Sequence, residues 1–109
     1  MKTKNAVAAL SALAQESRLA IFRALVQAGP AGLAAGKISE MTNVLPSSLT
    51  FHMKELMLAD MAQSRQEGRF VIYSANFDTM NGLLAFLTEN CCGGTSCAPV
   101  CTPDCCPDN

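Results

Sequence analysis

Six thiols dominate the chemistry available to this chain: Cys91, Cys92, Cys97, Cys101, Cys105 and Cys106, with no cysteine before them. A disulfide scaffold spreads its bridges through the fold that they staple. Confinement to one end instead suits thiols kept reduced for soft-ion chemistry. Cys91 and Cys92 are adjacent, Gly93-Gly94 lets the backbone turn back, and Cys97 follows a short loop. Three thiols can therefore converge at little loop-closure cost. A pyramid of three sulfurs suits trivalent arsenic or antimony, which are soft and keep a lone pair. Four of the six suit a tetrahedral zinc site, although paired C-x2-C spacing is missing, and cadmium and lead are kept as alternatives beside zinc. Exposed paired thiols also oxidise readily, which keeps a redox sensor in view. Cys101, Cys105 and Cys106 are a second trio or spare thiols.

Little else in the sequence could do chemistry. No glycine loop cradles a phosphate, and no nucleophile–base pair stands outside the tail, so no enzyme is expected. The single histidine, His52, sits at a helix margin, where a structural or DNA-contacting role is commoner than metal ligation. The chain of 109 residues suits one domain, half hydrophobic but only 6% aromatic, a composition that favours helices over sheet. Its formal charge of -1 excludes coating nucleic acid by bulk charge, so any DNA contact must use local basic groups. Lys2 and Lys4 before the Ala6–Ala14 run faintly imitate a signal peptide. The run is weakly apolar, however, and Val7, Leu10 and Leu13 make a helical stripe. A cytoplasmic location is expected, and no stretch reaches the ~18 apolar residues of a membrane span.

The elements that must position these groups follow from periodicity. Residues 5–14 read as a first helix on the Val7/Leu10/Leu13 stripe. Ser17 is the expected cap of a second, with Ile21, Phe22, Leu25 and Val26 inward and Gly29-Pro30 as the stop. A short helix over about 34–42 should bury Ile38 and Met41, followed by a turn over Asn43–Pro46. Over about 47–59, Leu49, Met53 and Leu56 share one face, with His52 and Met57 at its margins. The opposite face carries Ser47, Phe51 and Lys54, flanked by Ser48, Thr50 and Glu55. Solvated helix faces with one stray aromatic are common, so this face alone decides nothing. Ala62–Gln66 and Phe70–Ser74 alternate like strands around Glu67-Gly68, a hairpin with Arg65 and Arg69 beside its turn. A last helix, about 77–90, puts Phe77, Met80, Leu84 and Leu87 on one stripe and Leu83 and Phe86 on another. It is apolar around most of its girth, so the two terminal helices are expected to pack against a symmetry mate. Beyond it, residues 91–109 read as an irregular cysteine-rich tail on a body spanning 1–90.

This order of elements is that of a winged helix-turn-helix, mainly α with a β-hairpin wing. The segment ALAQESRLAIFRAL (Ala12–Leu25) resembles the ALA-x-x-x-RL-x-I signature of the ArsR/SmtB family of metal-responsive repressors. SSLTFHMKEL (Ser47–Leu56) resembles that family's DNA-reading helix, (I/V)-S-x-H-L-x-x-L: His52 matches, while Thr50 and Met53 replace Ser and Leu. RQEGRFVIY (Arg65–Tyr73) is similar to the family's wing, with Gly68, Arg69 and Tyr73 at matching positions. The resemblance covers about residues 5–90.

It implies a homodimer on an inverted-repeat operator, with Ser47, Ser48, Thr50, Phe51, His52 and Lys54 of the reading helix and Arg65 and Arg69 of the wing meeting DNA. Two family metal sites are missing. Ala34–Glu40 lacks the Cys-x-Cys motif, and the last helix carries Asp78 and Glu89 but no histidine. What remains, LTENCCGGTSC, resembles the arsenic-sensing members. The resemblance thus implies a repressor released by As(III) or Sb(III) at Cys91, Cys92 and Cys97. A zinc-, cadmium- or lead-responsive or redox-responsive repressor is the runner-up. A metal-sequestering thiol protein would account for the tail but leave the winged-helix motifs unexplained.

Overall fold

Helix α1 (Thr3–Leu13) turns its smallest residues inward: Ala6, Ala9 and Ala12 are buried, while Val7 and Leu10 are 56% and 43% exposed. Of the Val7/Leu10/Leu13 stripe, only Leu13 packs against the core. Alanine every third residue lets α1 lie close against α2 and α4, and the bulkier side chains turn outward. The computed structural model describes residues 1–89. The tail and its candidate ligands Cys91, Cys92, Cys97, Cys101, Cys105 and Cys106 lie outside the described residues.

Helix α2 (Glu16–Ala28) buries Ile21, Phe22, Ala24 and Leu25, with Val26 packed at the edge of the core. Its cap is Gln15, not Ser17. The Gln15 side chain accepts the Arg18 amide at 2.9 Å, which starts the helix ahead of the expected serine. Gly29, at φ 79°, ends it with its amide on the Leu25 and Val26 carbonyls. Helix α3 (Ala35–Thr42) buries Ile38 as expected, but Met41 is half exposed. Met41 lines a surface pocket together with Arg23 and Gln27 of α2 and stays half exposed there. Asn43 closes α3 in the left-handed region, donating its amide to Ser39.

Helix α4 (Pro46–Leu58) opens with proline at its first turn, where no amide partner is needed. Leu49, Met53 and Leu56 are buried, as their spacing requires. With Ile21, Leu25, Ile38 and Met61 they form the fully enclosed centre of the core.

Strands β2 (Ala62–Glu67) and β3 (Phe70–Ala75) pair antiparallel from Ala62↔Ala75 to Glu67↔Phe70. A two-residue turn, Gly68-Arg69, joins them, with Gly68 at φ 62°. The expected alternation of burial is not found in β2. Only Ala62 is buried, because the hairpin runs off the body and has water on both faces beyond its base. A third strand, β1 (Leu33–Ala34), which the sequence pattern did not announce, adds to the other edge of β3 through Leu33↔Tyr73 and Ala34↔Ile72. Gly32 permits it: φ is +75°, and a Cβ there would collide with the Tyr73 carbonyl oxygen.

Helix α5 (Phe77–Leu87) is capped by Asn76, whose side chain accepts the Thr79 amide at 3.3 Å. Leu83 is buried and Phe77, Met80 and Phe86 pack on the core, but Leu84 and Leu87 are each 54% exposed. Among the described residues, no helix is long and apolar enough to cross a membrane.

Candidate nucleic-acid interface

The outward face of α4 consists of Ser47, Ser48, Thr50, Phe51 and Lys54, all exposed. They are outward because Leu49, Met53 and Leu56 anchor the opposite face, and the helical period leaves them no other side. Thr50 donates its hydroxyl to the Pro46 carbonyl at 3.2 Å, leaving the oxygen free to accept from a base edge or water. Phe51 is 54% exposed and presents an apolar ring on this face. Hydroxyls can donate to and accept from base edges, an apolar ring suits a thymine methyl and a cation suits phosphate.

Three side chains meet at the margin of this face. Arg18 of α2 donates its Nε–H to Nδ1 of His52 at 3.3 Å. The Arg18 guanidinium carbon lies 6.0 Å from the Phe51 ring centroid, and the Phe51 and His52 rings meet edge to face at 5.7 Å. Burial and then the Arg18 charge hold the His52 pKa below its ordinary value of 6.5. His52 thus accepts at Nδ1 as a neutral imidazole, with only Nε2–H left to face outward. Motif reading placed Arg18 in the RL signature but assigned it no role, and its partner His52 is 34 residues away.

The two wing arginines differ. Arg65 pairs with Glu67 at 2.6 Å and donates through Nη2 to the Ala31 carbonyl at 2.6 Å, bracing the hairpin against the loop before β1. It is thus partly committed to the fold. Arg69 stands exposed at the turn beside Phe70, itself 65% exposed. Among the described residues no cluster of three or more His, Cys, Asp or Glu could hold a metal.

A helix-turn-helix with a hydroxyl-rich second helix and a flanking hairpin wing defines a DNA-binding transcriptional regulator. A family described as a helix-turn-helix domain matches residues 13–62. The arsenical resistance operon repressor of Bacillus subtilis (strain 168) is 33% identical over 81 residues, 74% of this chain and 73% of its own length. YceK, an uncharacterized HTH-type transcriptional regulator of the same organism, is 34% identical over 78 residues, 72% of this chain and 77% of its own. An ArsR-like transcriptional regulator from Rhodococcus sp. RHA1 shares the fold at a TM-score of 0.68 and 23% identity, covering 80% of this chain and 78% of that one. HlyU from Vibrio cholerae N16961 does so at 0.64 and 25%, over 84% and 99%. The chain belongs to the ArsR family of transcriptional regulators, which are not enzymes.

Proposed function

We propose that this protein is a cytoplasmic repressor that binds an inverted-repeat operator as a homodimer and releases it when As(III) or Sb(III) is captured by Cys91, Cys92 and Cys97. On this reading the body ends near residue 90, and 91–109 is its metalloid-binding tail. Ser47, Ser48, Thr50, Phe51 and Lys54 enter the major groove with His52 at the margin, and Arg69, with the partly engaged Arg65, meets backbone or minor groove. The observation that carries the reading is continuity: α5 keeps an apolar stripe bare through Leu84 and Leu87 and is followed within four residues by the vicinal Cys91-Cys92. A relative described as an arsenical resistance operon repressor supports the choice of ion.

Capture would fix the chain just beyond α5 and so reshape a helix that borders the partner. The reading helices of a dimer must sit about one DNA turn apart, so a modest change between protomers removes the fit. A hundredfold weakening requires the ion to prefer the non-binding state by only about 2.7 kcal/mol.

Fluorescence anisotropy on the protein's own promoter tests this. Cys91→Ser, Cys92→Ser and Cys97→Ser should bind DNA normally yet resist release by arsenite, with Cys105 and Cys106 mattering less. Arsenious acid is neutral, and three thiols condensing with it release three waters and no net protons. The arsenite midpoint should therefore change little between about pH 6 and 8, below the reference thiol pKa of ~8.5. Zinc must displace thiol protons, so a zinc response would steepen with pH. Release by zinc with none by arsenite would move the protein to the zinc-responsive class.

A further inference from the structure

We propose that Arg18 is a positioning residue for DNA reading: reaching from α2 to the margin of α4, it holds His52 and Phe51 in one stack, so that the Phe51 ring meets the groove in a single orientation and base preference depends on a residue of another helix. This rests on the reading of α4 as the groove-entering helix.

The geometry has three contacts that reinforce one another. The Arg18 Nε–H bond to His52 Nδ1, at 3.3 Å, fixes the imidazole plane and its tautomer. The fixed imidazole meets the Phe51 ring edge to face at 5.7 Å, the range in which aromatic pairs attract. The same guanidinium lies 6.0 Å from the Phe51 centroid, at the outer reach of a cation–π contact. Arg18 is half-buried while Phe51 is 54% exposed, so the stack runs from the body outward and ends on the ring. An exposed phenylalanine otherwise samples several rotamers and must lose that freedom on docking; a ring already held loses less. Ile21 and Leu25 of α2 and Met53 and Leu56 of α4 already fill the core. Glu55 lines the same cleft as Arg18 and is unchanged in every variant below.

Two measurements on the full chain test the inference. The first is anisotropy on the DNA fragment upstream of the gene and on copies with single base pairs changed within the footprint. Phe51→Ala should lose discrimination at one or more base pairs. Arg18→Ala should lose about three- to tenfold at the same pairs, the range that ordering one side chain commands, with nonspecific affinity little changed. Arg18→Lys keeps the charge but cannot place the planar Nε donor, so it should behave like Arg18→Ala; it also carries the test if the alanine variant fails to fold.

The second measurement follows the chain's single histidine by two-bond 1H–15N NMR through a pH titration. Wild type should show the Nε2–H tautomer, and Arg18→Ala should raise the His52 pKa and mix the tautomers. If Phe51→Ala leaves base preference unchanged, the assignment of the groove helix falls and this inference with it. If Phe51→Ala alters preference but Arg18→Ala and Arg18→Lys do not, the positioning role alone is overturned. An unchanged His52 titration in Arg18→Ala also overturns it, because the pair is then absent in solution.

Discussion

His52 is a neutral acceptor in the folded chain, and that has a consequence for stability. Burial first, and the Arg18 guanidinium second, hold its pKa below 6.5, whereas in the unfolded chain it titrates near that value. Between the two values the unfolded state binds more proton, so stability rises with pH there. The His52 contribution is fully present above about 6.5 and is lost as pH falls toward the folded value. The urea midpoint of the wild type should therefore drop between about pH 7 and 5, ahead of most carboxylate titration. His52→Asn, whose Oδ1 stands near the place of Nδ1 but does not titrate, should flatten that slope. Equal slopes in the two proteins would show that His52 is not held neutral by the fold.

Among the elements, β1 depends most on one residue. Gly32 is left-handed and its missing side chain is where the Tyr73 carbonyl sits, so Gly32→Ala meets both backbone strain and a steric collision. The strain alone costs about 1–3 kcal/mol, and the collision adds to it by pushing β1 off β3. Gly68 makes the comparison useful. It too is left-handed, at φ 62°, but nothing lies within 4 Å of a Cβ built there. Gly68→Asn should cost less than about 1 kcal/mol, since asparagine tolerates this region. Urea unfolding of the two variants checks the order, and equal losses would mean that the β1–β3 contact adds nothing. The helices depend less on single backbone positions: α2 and α4 each reach the core through several side chains.

At the scale of the whole molecule, the main unbalanced feature is apolar surface on the terminal helices. Val7 and Leu10 of α1 and Leu84 and Leu87 of α5 stand outward, and the two helices touch each other. Two half-exposed leucines on an edge helix fit a surface that a second copy covers. Leu84→Glu with Leu87→Glu should leave thermal unfolding of the protomer nearly unchanged, because neither side chain is in the core. It should yield a monomer in sedimentation and weaken operator binding about a hundredfold or more, since two half-sites would no longer be held together. A wild-type monomer, or a double variant that still dimerises, would remove this face from the interface.

Local order was legible in the sequence wherever a period or a turn chemistry is local. The buried face of α4, the inward residues of α2, the hairpin with its turn near Gly68 and the apolar girth of α5 all follow from spacing alone. The thiol chemistry proposed for Cys91, Cys92 and Cys97 rests on residue type and separation alone, because these residues lie outside the described ones. Tertiary structure decided what depends on the neighbour. Two stripes compete on α1, and the alanines won over Val7 and Leu10 because α2 and α4 approach too closely for larger side chains. Met41 has the period of a core residue but lines a surface pocket beside α2 and is half exposed. A two-residue strand has no period to read, so β1 appears only once β3 offers an edge. The Arg18–His52 and Arg65–Ala31 bonds each join positions 34 residues apart. No local pattern encodes such a separation; packing of the core sets it, by bringing α2 against α4 and the hairpin against the loop before β1.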